Sequence, residues 1–195
     1  MLRSARHDAI EYDRLSALYR LIKMTLDELN NLPKPALIET LRQCCWSTAW
    51  VEAMADRLPV PDKETLFEQA ASIWYNLSEH DWREAFTHHP KIGDINSLKE
   101  KFAGTSTSTS AWAAGEQAAV QHSSQVVLEA LAEGNTRYEE KFGYIFIVCA
   151  TGKSAEEMLA LLQARLPNQP DEEMKIAMGE QAKITHIRLE KLLAT

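Results

Sequence analysis

The side chains with the most chemical reach in this chain stand in three places. The stretch "FTHHPKIGD", Phe86 to Asp94, sets His88 and His89 against Pro90. Adjacent histidines point to different faces of a helix or strand, so the pair reads as a loop. Pro90 biases His89 toward an extended backbone and so aims its imidazole in one direction. An oriented histidine suits acid–base chemistry near neutral pH. Zinc would need further ligands at workable spacing; His80 lies upstream and only Asp94 follows in register, so the residues make no metal ligand set. The other two places are charges at inward helical positions. At about 100° per residue, Glu116 falls within about 60° of Ala113, Val120, Val127 and Leu131. In the last helix Ala177, Gln181, Ile184, Arg188 and Leu192 share one stripe, with Arg188 near its centre. A buried charge needs a partner or a ligand. Three arrangements satisfy that need: a structural Glu116–Arg188 ion pair, an Arg188 that snorkels to solvent, or a polar pocket between helices that the histidine loop faces.

The elements that must hold these residues are helices. "TLDE" (Thr25 to Glu28) and "SAEE" (Ser154 to Glu157) are capping boxes, and "SEHD" (Ser78 to Asp81) is an acidic variant. Pro35 opens a helix through "ALIETLRQCC", and Ser47 caps "TAWVEAMADRL", which stops at Pro59. Helices follow through "KETLFEQAASIWYNL" and "DWREAF", with Asp94 capping a brief one that ends near Phe102. "GTSTSTS" (Gly104 to Ser110) reads as a small, polar linker. Further helices are expected over Ser110–Glu133, over "SAEEMLALLQARL" and over Asp171–Leu193. "FGYIFIVCA" (Phe142 to Ala150) is the one strand-like run. A single strand makes no sheet, so it reads as a buried extended segment or a helix start inside an all-α bundle. Trp46, Trp50, Trp74 and Trp82 read as core between helices. "ATGKS" (Ala150 to Ser154) ends like a phosphate-binding loop, but Ile147 stands where that loop needs its first glycine, so Ser154 reads as a helix cap.

Bulk properties narrow the class of function. The 195 residues are 45% hydrophobic and 25% charged, ordinary soluble globular usage for one domain. A net charge of -7 argues against a nucleic-acid surface, which needs clustered Lys and Arg. Cys44, Cys45 and Cys149 fit neither a disulfide framework nor a zinc spacing and read as buried thiols in a reducing, cytoplasmic setting. No apolar run approaches the roughly 20 residues of a membrane span, and the N-terminus lacks the pattern of a secretory signal. Residues 1–23 read as an extension or a short extra helix, with the main domain over 24–195.

Several motifs in order give the chain a family resemblance. They are "CCWSTAWVEAM" (Cys44 to Met54), "HHPKIGD" (His88 to Asp94), "GEQAAV" (Gly115 to Val120), "YEEKFGYIFIVCATGKS" (Tyr138 to Ser154), "RLPN" (Arg165 to Asn168) and "KITHIRLEKL" (Lys183 to Leu192). From about Met24 onward the chain resembles the 2-oxo-4-hydroxy-4-carboxy-5-ureidoimidazoline (OHCU) decarboxylases. These enzymes of urate breakdown yield (S)-allantoin without a cofactor. The resemblance implies a single-domain all-α bundle of roughly eight to nine helices and a homodimer. It implies His89, rather than His88, as the catalytic histidine, with Glu116 as the essential carboxylate. It places Pro90, Gln117 and Arg188 at the substrate, together with main-chain groups of Phe146, Ile147, Val148, Cys149 and Ala150. Its implied partner is the small ureidoimidazoline, with no metal, cofactor, nucleic acid or membrane. One departure is Ala113, where relatives often carry a serine; Ser110, one turn earlier, is the nearest substitute hydroxyl. Two other readings of the same residues are a non-catalytic all-α interaction protein and a lyase or hydrolase acting on a related ureide.

Overall fold

In the computed structural model, residues 23–89 and 114–193 are described, with the backbone alone over 114–124. They form eight helices and, among the described residues, no strand: α1 (Leu26–Asn30), α2 (Lys34–Arg42), α3 (Thr48–Arg57), α4 (Lys63–Tyr75), α5 (Glu79–Thr87), α6 (Ala114–Phe142), α7 (Ala155–Arg165) and α8 (Pro170–Leu192). The all-α class expected above is what is observed. The brief helix expected after Asp94 and the "GTSTSTS" linker lie outside the described residues.

Most helix starts follow from local chemistry. Thr25 Oγ1 accepts from the Glu28 amide and Glu28 returns to the Thr25 amide, a closed capping box. Ser154 and Glu157 do the same for α7. Ser47 accepts from the Trp50 amide and Asp62 from the Thr65 amide. Each bond satisfies an amide that the first helical turn leaves without a partner. At α5 only half of the acidic variant forms: Ser78 donates both its amide and its hydroxyl to Asp81, and the Asp81 amide donates to the Ser78 carbonyl rather than to its hydroxyl.

The described residues fall into two compact units, the first made of those up to Ala85 together with those from Ala182, the second of those from Phe86 to Gln181. In the first unit α3 packs on both α2 and α4. Its core holds Leu29, Leu41, Trp50, Val51, Met54 and Leu66, all with no exposed surface. Trp50 and Trp74 are core as expected, and Trp50 donates its indole N–H to the Ala70 carbonyl, so it buries its ring without losing a hydrogen bond. Trp46 and Trp82 are only half-buried, Trp82 donating to the Trp74 carbonyl. Glu84 of α5 grips the start of α3, accepting from the Thr48 amide at 2.8 Å and its hydroxyl at 2.7 Å. The Met24 amide meets the Leu192 carbonyl at 2.9 Å, tying the beginning of the described chain to its end.

In the second unit α6 packs along α7. Here one expected boundary is overturned. The helix expected to stop at Glu133 runs on to Phe142, straight through Gly134 and Asn135. Gly134 is there for space: a Cβ would meet Leu162 Cδ2 of α7 at 2.6 Å. Asn135 turns its amide back onto the Leu131 carbonyl and stays helical. The helix ends at Gly143, whose positive φ of 72° lets its amide return to the Glu139 carbonyl.

The residues after Gly143 settle the reading of "FGYIFIVCA". Tyr144, Phe146, Ile147, Val148 and Cys149 are buried and in neither helix nor strand, so this is the buried extended segment. The following "ATGKS" turns at Gly152 (φ 76°) and delivers Ser154 as the cap of α7, its expected role.

Candidate active site

The adjacent histidines part company at the end of α5. His88 is exposed, whereas His89 is half-buried. His89 Nε2 lies 2.5 Å from Oε1 of Gln181, a fully buried side chain on α8. Phe86, fully buried, seats this end of α5 against the Tyr144 ring at 5.2 Å between centroids.

The extended segment is held from three sides. The Cys149 amide donates to Glu180 of α8 at 2.7 Å, and the Cys149 carbonyl accepts from the Lys153 ammonium at 2.7 Å. Arg165, at the end of α7, donates from Nη1 to the Ile147 carbonyl at 2.8 Å. Arg165 is itself buried, with its Nε 2.7 Å from Glu173 Oε1 and its guanidinium over the Phe146 ring. Glu173 has no exposed surface; it also accepts from Asn168 Nδ2 at 2.8 Å and from the Tyr138 hydroxyl. Burial, opposed by Arg165 and reinforced by the Glu173 hydrogen bond, pushes the Tyr138 phenol above its ordinary range, so it stays a neutral donor. Each charge in this cluster has a partner and the carboxylate's lone pairs are used, the condition under which a buried ion pair is tolerated.

Arg188 belongs to the first unit. It is half-buried and donates from Nη1 to the Cys44 carbonyl at 3.3 Å. No carboxylate among the described residues lies within ion-pair distance of it. Burial lowers its pKa from the usual arginine value, against a smaller opposing effect of the Cys44 and Cys45 thiols. It still carries charge at neutral pH, as arginines do in proteins. Burial pushes the Cys44 thiol up to about 12 and that of Cys45 to about 11, so both stay protonated and poorly nucleophilic.

The stripe expected for α8 needs a correction. Ala177 and Gln181 are fully buried as expected, but the burial continues through Thr185, Leu189 and Leu193 rather than Ile184, Arg188 and Leu192. A step of four residues turns the buried face by about 40° each time. By the last turns it has moved off Arg188, which flanks the stripe. In α6, Leu131 is buried as expected but Val127 is only half-buried; the face runs through Leu128, Leu131, Asn135, Tyr138 and Phe142. Glu116 and Gln117 sit in the first turn of α6, in a stretch where the backbone alone is described. Pro90, Ala113 and Ser110 lie outside the described residues.

Of the expected site residues, then, one unit brings His89 and the segment Phe146–Ala150 onto successive side chains of α8, Gln181 and Glu180. Neither of these, nor Arg165, was singled out from sequence as a site residue. A signal was present: Gly179-Glu180-Gln181-Ala182 repeats the string Gly115-Glu116-Gln117-Ala118. In chemical terms this gives a fixed imidazole, a pinned main chain and, in the other unit, a partly desolvated guanidinium.

Comparison with known proteins places the chain in a family. The model of the family described as OHCU decarboxylase matches residues 30–190. The chain belongs to the OHCU decarboxylase family, and that single match runs through both units. It is 38% identical over 154 residues to the uric acid degradation bifunctional protein TTL of Arabidopsis thaliana, covering 77% of this chain and 45% of that protein. A bifunctional uric acid degradation protein of Bacillus sp. (strain TB-90) is 24% identical over 87% of this chain and 32% of its own length. The chain thus spans less than half the length of these two relatives. Among solved structures, an OHCU decarboxylase determined in the presence of (S)-allantoin is 35% identical, with a TM-score of 0.62 over 79% of this chain and 96% of that one. An (S)-allantoin synthase aligns with a TM-score of 0.65 over 88% of this chain and 55% of that one; at 19% identity it shows the fold alone.

Proposed function

We propose that the chain is a carboxy-lyase that converts 2-oxo-4-hydroxy-4-carboxy-5-ureidoimidazoline to (S)-allantoin, and that it works as a cytoplasmic homodimer. Residues 24–195 make the catalytic domain, preceded by an extension over 1–23. The observation that carries the reading is the half-buried His89 seated on Gln181, in a chain that is 35% identical to an OHCU decarboxylase determined with (S)-allantoin present.

The substrate carries a hydroxyl and a carboxylate on one ring carbon, beside a C=N bond. When the carbon–carboxylate bond breaks, its electron pair moves into that C=N, which serves as the built-in electron sink, and CO2 leaves. The resulting enol then ketonises: the hydroxyl gives up its proton to become a ring carbonyl. The neighbouring carbon, formerly that of the C=N bond, takes a proton on one face to give one enantiomer. His89 moves protons in this sequence, acting on the ring hydroxyl during CO2 loss or on the carbon afterwards. Glu116 acts beside it; Glu116 and Gln117 hold the ureido groups and fix the ring's orientation. Arg188 grips an anionic or carbonyl edge through a charge-assisted contact. Pro90 and the main chain of Phe146–Ala150 complete the wall. With the Cys149 amide and the Ile147 carbonyl already engaged by Glu180 and Arg165, the main-chain contacts fall to the remaining groups of that segment.

The test is to add the protein to freshly generated substrate and follow circular dichroism. Enantiopure allantoin appearing faster than spontaneous decay is the expected result. Unchanged racemic decay would refute the reading, and a panel of related ureides would then identify the substrate.

A further inference from the structure

From the contact at the end of α5 we infer that Gln181 is a positioning residue, whose side-chain carbonyl accepts from Nε2–H of His89 and fixes that imidazole's tautomer and direction. This rests on the reading of His89 as the proton-handling group.

Gln181 sits on the fully buried face of α8, in line with Ala177 below and Thr185 above. An amide there without a partner would cost about 1–3 kcal/mol, so its place among buried side chains calls for a polar contact. His89 supplies one at 2.5 Å. An amide carbonyl has lone pairs and no proton, so the histidine must be the donor. A neutral imidazole that donates from Nε2 carries its lone pair on Nδ1, and Nδ1 becomes the atom that takes or returns a proton. The partner's neutrality is also chemically apt. A carboxylate at this place would favour the imidazolium, whereas an amide orients the ring and adds no charge. The carboxylate that is close in sequence, Glu180, is turned about 100° around the helix and holds the Cys149 amide. Successive side chains of one helical turn thus divide the work: the carboxylate fixes main chain, the amide fixes the histidine.

The experiment uses the full chain labelled with 15N at histidine. There are six histidines, so the His89 signals are assigned by their loss in His89→Ala. In the wild type the long-range spectrum should show His89 as the Nε2–H tautomer at a pH where it is neutral. Gln181→Met, near in shape but without an acceptor, should lose that single-tautomer pattern. It should also lower kcat by about 100-fold with KM changed by less than about threefold. In the double variant with His89→Ala the loss should be no larger than for His89→Ala alone, the behaviour of residues acting as a unit. An Nδ1–H tautomer in the wild type overturns the inference without any variant, so it stays testable even if Gln181→Met fails to fold. So does an unchanged spectrum or an unchanged kcat in a folded Gln181→Met. Normal turnover of His89→Ala is a separate outcome, which removes His89 from the mechanism whatever its tautomer.

Discussion

At the scale of single residues, the two adjacent histidines make opposite predictions. His89→Asn should lower turnover by about 100-fold or more, whereas His88→Ala, at an exposed position, should stay within a few-fold of wild type. Steady-state rates on the same substrate preparation check both; equal losses would contradict the assignment to His89. Arg188→Ala should raise KM by removing the substrate's cationic contact, and unchanged KM and kcat would remove Arg188 from the site. Much of this residue set was legible in the sequence, because histidine beside proline and charges in helical stripes are unusual enough to notice. Gln181 was legible as a member of the α8 stripe but not as a partner of His89. An amide at that phase reads as neither core nor charge, and its role depends on a contact 92 residues away in the chain.

At the scale of elements, the starts of α1, α3 and α7 were read well because each rests on a bond within four residues. The end of α6 was misread because it is decided by a neighbour. Gly134 and Asn135 have the composition of a stop, yet the glycine serves the close approach of Leu162. That contrast gives a paired test. Gly134→Ala gains about 1 kcal/mol of helix propensity but drives a methyl into buried Leu162, at a cost of about 1–3 kcal/mol, so it should destabilise. Gly179→Ala in α8 meets open space and should stabilise by up to about 1 kcal/mol. Denaturant midpoints of the two variants should therefore move in opposite directions. The caps add a pH dependence. The Thr65 amide holds the Asp62 carboxyl below its ordinary 3.8, and the Thr25 amide holds Glu28 below its ordinary 4.5. A carboxylate with a depressed folded pKa stabilises above its unfolded value and loses that effect as pH falls through the folded one. Melting temperature should drop below about pH 4. Asp62→Asn, still a good cap, should keep stability near neutrality and flatten that acid limb.

At the scale of the whole molecule, the buried Arg165–Glu173–Tyr138 cluster should dominate the response to mutation. Arg165→Ala strands the Glu173 carboxylate in the core and should cost about 3–5 kcal/mol, measured by denaturant unfolding. No helix among the described residues is long and apolar enough to cross a membrane. All three cysteines are free and buried, so a thiol reagent should label none of them quickly in the native state and all of them in denaturant.

The tether between the Cys149 amide and Glu180 also gives the protein an internal clock. The segment from Tyr144 to Ala150 has no helical ladder, so the exchange of that one amide with deuterated solvent is governed by a single carboxylate rather than by a row of backbone bonds. Its lifetime against exchange measures how often the segment lets go of α8. A charge-assisted bond of about 1.5–3 kcal/mol corresponds to about tenfold or more in that lifetime, and Glu180→Ala, which removes the acceptor, should shorten it accordingly.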